Sequence, residues 1–250
     1  MPHAETPQPG SGPLQKKACL VARMFLVTQE CQGTPQSDST EVVLMAGLGS
    51  CSVGLHAVLL EEMRGLGDHF DPDELAYLTL TSKVEHVVRD KLAWRLQSRL
   101  PEQRVAREWK RTDIAVLNID NTPALLLEAK ALYSLDGGRQ VAIRWYSAAI
   151  AADLAKARAL SGDTKVYAAV LATHPLSPIR RELRQVVKYG SQVNSAFTRL
   201  GSADAVRAEF QKTFLSIFKA LGQVKEGSLP QGHAFGVGVH IDWWLVGPCT

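Results

Sequence analysis

The segment ALLLEAKAL, residues 124–132, constrains the fold more strongly than any other part of the sequence. Side chains alternate between the two faces of a strand, so the run Leu125-Leu126-Leu127 is apolar on both faces. A strand of this kind lies inside a sheet that is covered on both sides. Glu128 and Lys130 follow directly, and burying a charge is costly unless another group compensates it. We therefore expect a covered sheet and a partner for these two charges.

The order of the predicted elements indicates an α/β fold with a mixed central β-sheet flanked by helices. A helix that begins near residue 82 precedes three strand candidates, which are RVAREW, IAVLNI and ALLLEAKAL. The helix QVAIRWYSAAIAADLAKARAL and the strand KVYAAVLATHP follow, so the core order is αβββαβ. Beyond this core, the sequence predicts C-terminal helices over residues 177–200 and 203–221 and a final strand over residues 233–247.

The acidic segment DPDEL predicts the start of a helix upstream of the core, with Asp71 as its N-cap. We expect this helix to break near residues 79–82 and to restart. Two interpretations stay open for Glu85 at the restart. The pattern Ser82-x-x-Glu85 is that of a capping box, whereas the position of Glu85 seven residues before Leu92 directs its side chain inward.

The chain of 250 residues is divided by its composition into three predicted segments. Residues 1–17 are expected to be a disordered tail and residues 71–250 an α/β domain. Residues 18–70 are expected to be an extension or subdomain, a dimerisation element of a homodimer, or a substrate clamp. The apolar runs are too short for a membrane span. Scattered cysteines without a CxxC motif predict reduced thiols in a cytoplasmic protein, at Cys19, Cys31, Cys51 and Cys249.

The segment IAVLNIDNTPALLLEAK predicts a β-hairpin that places two carboxylates opposite each other. With Asp120 and Asn121 at the centre of the turn, opposed residues have numbers that sum to 241. Asp113 then lies directly opposite Glu128, with Cβ atoms roughly 4.5–5.5 Å apart, and Lys130 shares the face of Glu128. Two carboxylates at this separation can share one divalent cation. Mg²⁺ suits such a site, because it prefers oxygen ligands from one or two carboxylates together with phosphate oxygens.

Asp113 on one strand and Glu128-Ala129-Lys130 on the next resemble the signature of the PD-(D/E)xK nuclease superfamily, which includes restriction-endonuclease-like and RecB-like nucleases. The resemblance covers residues 72–172 and extends to the αβββαβ order. It implies Mg²⁺-dependent cleavage of phosphodiester bonds, with Mn²⁺ as a substitute metal. It also implies that Asp113 and Glu128 hold the metal, that Lys130 positions the attacking water, and that Glu85 supplies a further metal contact.

The sequence departs from the superfamily pattern at two places. Thr112 stands where a proline often precedes the aspartate. RecB-like members carry a Gln-x-x-x-Tyr motif on the next helix, whereas here Gln140 is followed by Arg144 at the tyrosine position and the nearest tyrosine is Tyr146. The RecB-like branch is therefore not assigned.

Basic residues near the signature and in the C-terminal half favour a nucleic-acid partner. Arg181, Arg184 and Lys188 are spaced so that they share one face of the predicted helix over residues 177–200. DNA is the partner that the resemblance implies, and the residues do not exclude RNA. The candidate nucleic-acid-binding residues are Arg111, Gln140, Arg144, Arg181, Arg184 and Lys188. Solvated basic surfaces give the same pattern without a ligand.

We therefore expect a metal-dependent nuclease that acts on DNA, with Asp113, Glu128, Lys130 and Glu85 as its catalytic residues. The alternative is a catalytically inactive module that binds nucleic acid or another partner on the same fold. Simpler roles also exist for the individual residues. Glu128 and Lys130 can form an ion pair on a solvated sheet face, and Asp113 can be a turn residue.

Overall fold

A computed structural model describes residues 54–249, which belong to one compact unit. The predicted tail and the part of the predicted extension before residue 54 lie outside the described residues. Among the described helices, none combines the length with the apolar character that crossing a membrane requires.

The described residues contain six helices and six strands, joined by short turns of 3₁₀-helix. The helices are α1 (Leu55–Arg64), α2 (Pro72–Thr81), α3 (Glu85–Arg99), α4 (Gln140–Ser161), α5 (Gly190–Leu200) and α6 (Ala203–Leu221). The strands are β1 (Arg104–Trp109), β2 (Thr112–Leu117), β3 (Pro123–Tyr133), β4 (Lys165–Pro175), β5 (Val224–Ala234) and β6 (Val237–Cys249). The 3₁₀ turns cover Leu66–His69, Ser134–Gly138 and Arg181–Leu183.

The strands form a single mixed sheet in the order β1-β2-β3-β4-β6-β5. Strands β3 and β4 are parallel and are connected through α4, whereas the other neighbours are antiparallel. From α3 to β4 the element order is αβββαβ. The predicted α/β class with a mixed central sheet is thus confirmed.

Strand β3 lies between two hydrophobic clusters, one on each face of the sheet. Leu127 belongs to the cluster that contains Leu59 of α1 and Leu92 of α3. Leu126 belongs to the cluster that contains Leu154 of α4 and Phe214 of α6. The sheet is therefore covered on both sides, as the leucine run predicts, and charged residues that follow the run are enclosed by helices.

The helices before the core begin and end as the sequence predicts. The Asp71 side chain accepts hydrogen bonds from the backbone N–H groups of Asp73 and Glu74, both at 2.9 Å, and so caps α2. Helix α2 ends at Thr81 and α3 begins at Glu85. Residues 55–69, which we assigned to an extension or subdomain, pack into the same cluster as α3 rather than apart from it.

The predicted helix over residues 177–200 is wrong in its first half, because regular helix begins only at Gly190. Pro178 cannot donate a backbone hydrogen bond, and it disfavours helical geometry in the residue before it. Tyr189 adopts a left-handed conformation with φ 59°, which a continuous helix cannot contain. Arg181, Arg184 and Lys188 therefore do not share a helix face, and they lie exposed between β4 and α5.

The C-terminal part of the sheet contains a strand that the sequence analysis did not predict. Strand β5 forms one edge of the sheet and is mostly exposed, so it lacks the apolar pattern of a core strand. Pro230 lies at an irregularity in its pairing with β6, as is usual for proline in an edge strand. Strand β6 is buried on both faces, with Trp243 in one cluster and Trp244 in the other.

A buried carboxylate on β6 connects α6 to the sheet. The carboxylate of Asp242 accepts two hydrogen bonds from Arg207 of α6, at 2.8 and 2.6 Å, and one from Gln211 at 3.1 Å. It also contacts the Nε2 atoms of His174 and His240, each at 2.9 Å. Burial raises the pKa of Asp242, but these hydrogen bonds outweigh burial and lower the pKa well below its usual range. Asp242 is therefore a structural anion, and its surroundings hold α6 against the sheet.

We predict that Asp242→Asn lowers the free energy of unfolding by about 3 kcal/mol, because Arg207 loses a buried partner. Glu209→Gln is the matched control, since Arg199 binds Glu209 in a similar two-bond geometry on the surface. For Glu209→Gln we expect the free energy of unfolding to fall by at most about 1 kcal/mol. Urea denaturation measures both variants, and equal losses would contradict the structural role assigned to Asp242.

Candidate functional site

The β2–β3 hairpin has the register that the sequence predicts, although its turn is different. Ile114 pairs with Leu127 and Val116 with Leu125, so the paired numbers sum to 241. The turn itself is shifted from the predicted position. The backbone carbonyl of Asn118 accepts from the Asn121 N–H, and the Asn118 N–H donates to the carbonyl of Thr122, each at 2.9 Å. An irregularity between Val116 and Leu117 restores the predicted register. Asp113 therefore lies opposite Glu128, one position beyond the last paired residues.

Asp113 and Glu128 face the side of the sheet that α4 covers. Residues two apart in a strand share a face, so Asp113 lies on the face of Ala115 and Glu128 on the face of Leu126. Both of these apolar residues belong to the cluster beneath α4. Glu128 is only 4% exposed. Burial and the neighbouring Asp113 raise the pKa of Glu128 to about 8, and Lys156 opposes this shift. Among the described residues, its Oε1 atom has no hydrogen-bond partner.

Two carboxylates hold the backbone of β3 beyond the end of its pairing with β2. Pairing with β2 ends at Leu127, and the next N–H groups on that side belong to Ala129 and Ala131. Asp113 Oδ2 accepts from the Ala129 N–H at 2.8 Å, and Glu85 Oε2 accepts from the Ala131 N–H at 3.1 Å. The two side chains thus replace a neighbouring strand and lie side by side along β3.

These contacts decide between the two interpretations of Glu85. Helix α3 begins after Val84 without a side-chain cap, so the capping box with Ser82 does not form. The Glu85 side chain points instead toward β3, where its charge also reaches Lys130. The inward orientation inferred from its spacing to Leu92 is the one that the structure has.

Lys130 is held by a carboxylate of α4. Its Nζ atom lies 2.7 Å from Oδ2 of Asp153. Burial lowers the pKa of Lys130, but the bond to Asp153 and the charges of Glu85 and Asp113 outweigh burial and raise it overall. Lys130 is therefore a fixed cation beside the two opposed carboxylates.

Sequence reasoning missed three charged residues that complete the site. Asp153 and Lys156 extend from α4, and Lys156 Nζ lies 3.7 Å from Oε1 of Glu128. Arg89 of α3 lies 3.6 Å from Asp113 and 2.9 Å from Glu108. The sequence contained a signal for the residues of α4. Asp153 and Lys156 are three residues apart and flank the buried Leu154, a spacing that puts both beside the sheet.

The charges of the site suit a metal with few protein ligands. Within residues 54–249, no group of three or more His, Cys, Asp and Glu side chains is arranged to hold a metal ion. Asp113 and Glu128 supply two carboxylates, and Oε1 of Glu128 accepts no hydrogen bond from this part of the chain, with Lys156 Nζ 3.7 Å away. This donor set fits Mg²⁺, which commonly keeps water or phosphate oxygens in the rest of its shell. It does not fit a closed site of four or more protein ligands.

The predicted nucleic-acid-binding residues are scattered over the surface. Arg111 lies in the two-residue turn between β1 and β2, exposed and two positions before Asp113. Gln140 and Arg144 are exposed on α4. Arg144 precedes Asp153 by about two and a half helical turns and so lies on the opposite side of α4. Arg111 is therefore the predicted residue that lies in the turn leading into the strand of Asp113.

Comparison of the chain with family models, with curated proteins and with solved structures found no match in any of the three.

The raised pKa of Glu128 predicts a dependence of stability on pH. The folded protein keeps Glu128 protonated up to about pH 8, whereas the unfolded chain ionises near 4.5. The unfolded state therefore binds fewer protons in this window, and the free energy of unfolding falls as the pH rises from about 4.5 to about 8. Glu128→Gln should remove this part of the pH dependence.

Urea denaturation in EDTA at both ends of the window measures the effect. The free energy of unfolding of the wild type, relative to that of Glu128→Gln, should fall from the acidic end of the window to the basic end. Glu102→Gln, an exposed glutamate before β1, controls for the loss of a surface carboxylate. Parallel pH profiles of wild type and Glu128→Gln would contradict the prediction.

Proposed function

We propose that this protein is a Mg²⁺-dependent nuclease that hydrolyses phosphodiester bonds, with DNA as its substrate. The observation that carries the proposal is the buried pair of Asp113 and Glu128, which are opposed across the β2–β3 hairpin with Lys130 on the same face. Burial and the facing Asp113 carboxylate raise the pKa of Glu128, and a divalent cation between the two carboxylates would offset that penalty. The resemblance to the PD-(D/E)xK signature supports the same assignment.

Asp113 and Glu128 would hold the metal. A bound Mg²⁺ supplies a polarised phosphoryl oxygen and a water of lowered pKa. Asp113 is fixed for this role by the Ala129 N–H and by Arg89. Because Arg89 is buried and shares its charge with Glu108 and Asp90, it orients Asp113 rather than contacting substrate.

Lys130 would stabilise the charge that develops on the phosphate and orient the attacking water. An ammonium group has three donors, and the bond to Asp153 uses one of them. The remaining donors are available to the substrate. Asp153 thus acts as a positioning residue, and Glu85 adds negative charge that keeps Lys130 protonated.

A catalytically inactive binding module is the second candidate, and a specific observation favours it. The site residues already satisfy one another, since Asp113 and Glu85 hold backbone N–H groups and Lys130 pairs with Asp153. These contacts can maintain the end of β3 without a metal. Nucleic-acid binding does not separate the two candidates, but metal-dependent cleavage does.

We predict that the purified protein cleaves DNA in Mg²⁺ and not in EDTA, and that Asp113→Asn and Lys130→Ala each reduce cleavage by about 10²-fold or more. Asp113→Asn retains an acceptor for the Ala129 N–H, so the fold of the hairpin is preserved. Cleavage is followed by gel electrophoresis of labelled single-stranded and duplex DNA, with RNA tested in parallel.

Asp163→Asn and Lys165→Ala are matched controls, because both residues are exposed at the start of β4. They should cleave like the wild type. A folded protein that cleaves neither DNA nor RNA in Mg²⁺ or Mn²⁺ would refute the nuclease assignment and leave the binding module.

A further inference from the structure

A cavity of about 250 Å³ lies at the end of β3, beyond the carboxylate pair. Tyr133 forms part of its wall and is three residues after Lys130, about 10 Å along the strand. The hydroxyl of Tyr133 donates to the backbone carbonyls of Thr79 and Ser82, so this wall is fixed to the end of α2. Ala131, whose N–H donates to Glu85, is two residues before Tyr133 and shares its face of β3, so this wall adjoins the Glu85 side of the site.

Four of the nine residues that line this cavity are aromatic. Tyr133 meets Tyr189 edge-on with ring centroids 5.0 Å apart, and Trp145 meets Tyr146 edge-on at 4.7 Å. Trp145 is 59% exposed, although large aromatic side chains are usually covered in a folded protein. Its indole ring therefore offers a stacking surface at the open side of the cavity. Val141, one turn earlier on α4, is 71% exposed and extends this apolar rim.

A buried carboxylate gives the cavity one directional polar group. Asp136 is 5% exposed and lines the cavity. Its Oδ2 atom accepts from the Tyr133 N–H at 3.1 Å, which fixes the orientation of the carboxylate. Arg139 lies 3.8 Å from Oδ1, too far for a hydrogen bond. The Tyr146 hydroxyl also contacts the carboxylate, whose two oxygens have further lone pairs for a ligand N–H group.

Cations lie over two of the rings. Lys83 Nζ is 5.5 Å from the centre of the Tyr146 ring, and Lys188 Nζ is 5.5 Å from that of Tyr189. Aromatic walls, a hydrogen-bond acceptor and nearby ammonium groups are together the features that recognise a planar base attached to an anionic backbone. Lys188, which the sequence analysis placed on a basic helix face, belongs to this group instead.

We propose that this cavity binds an unpaired nucleobase of a nucleic-acid strand that continues along β3 to the carboxylate pair. The inference rests on the proposed nuclease function and specifies its substrate as a single-stranded segment. The base stacks on Trp145, its ring or exocyclic N–H faces Asp136, and Lys83 and Lys188 attract the flanking phosphates. A paired base within a duplex cannot enter, because its faces are covered by its neighbours in the stack.

Binding of a labelled single-stranded DNA oligonucleotide, measured by fluorescence anisotropy in EDTA, tests this inference without cleavage. Trp145→Ala should weaken binding by about 5- to 150-fold, the range expected from the loss of one base–aromatic stack. Trp94→Ala is the matched control, because Trp94 is a 68% exposed tryptophan of α3 and does not line the cavity. It should bind like the wild type.

An abasic oligonucleotide of the same length provides a second measurement that requires no variant of the fold. The wild type should bind it as weakly as Trp145→Ala binds the normal strand, and Trp145→Ala should not distinguish the two strands. The inference is overturned if the wild type binds no single strand, binds the abasic strand equally well, or matches Trp145→Ala in affinity.

Failure of this inference and failure of the proposed nuclease function give different results. Cleavage in Mg²⁺ together with equal affinities of Trp145→Ala and the wild type would reject the base cavity and retain the nuclease. Base-dependent binding that Trp145→Ala abolishes, without cleavage in Mg²⁺ or Mn²⁺, would retain the cavity and reject the nuclease.

Discussion

The antiparallel register of β2 and β3 places Asp113 against Glu128, and the rest of the site is arranged around that contact. Two carboxylates that face each other under a covering helix cannot both ionise without compensation. The protein supplies positive charge from both sides, with Arg89 on α3 near Asp113 and Lys156 on α4 near Glu128. This compensation is incomplete, because the pKa of Glu128 is still raised to about 8. The remaining penalty is the physical basis for assigning a cation to the site.

The end of β2 links this electrostatic arrangement to the fold. Because β3 continues after its pairing with β2 ends, its free N–H groups need acceptors, and the side chains of Asp113 and Glu85 supply them. The same carboxylates therefore stabilise the sheet and line the site. On the opposite side, β3 remains paired with β4 along its length, which keeps Glu128 and Lys130 in a fixed orientation. The aromatic cavity begins where β3 ends, so one strand connects the proposed chemistry with the proposed recognition.

The sequence predicts much of this arrangement, and the differences have physical causes. The register of the hairpin was predicted from an assumed turn centred on Asp120 and Asn121. The turn is shifted, but a bulge between Val116 and Leu117 restores the predicted pairing. The contribution of α4 was not predicted, although Asp153 and Lys156 flank the buried Leu154, because the rotation of a helix against a sheet depends on packing. Strand β5 was not predicted because an exposed edge strand lacks the alternation of apolar and polar residues that marks a half-buried strand. The prediction of a basic helix face was wrong because Pro178 and the left-handed conformation of Tyr189 exclude a continuous helix.

Calorimetric titration of the protein with Mg²⁺ near pH 7, in two buffers of different ionisation enthalpy, tests the central claim most directly. Glu128 carries a proton at this pH, since its pKa is about 8, and metal binding requires the ionised carboxylate. Binding should therefore release about one proton. The release should disappear in Glu128→Gln. Absence of Mg²⁺ binding, or binding without proton release, would contradict the assignment of Asp113 and Glu128 as a metal-binding pair.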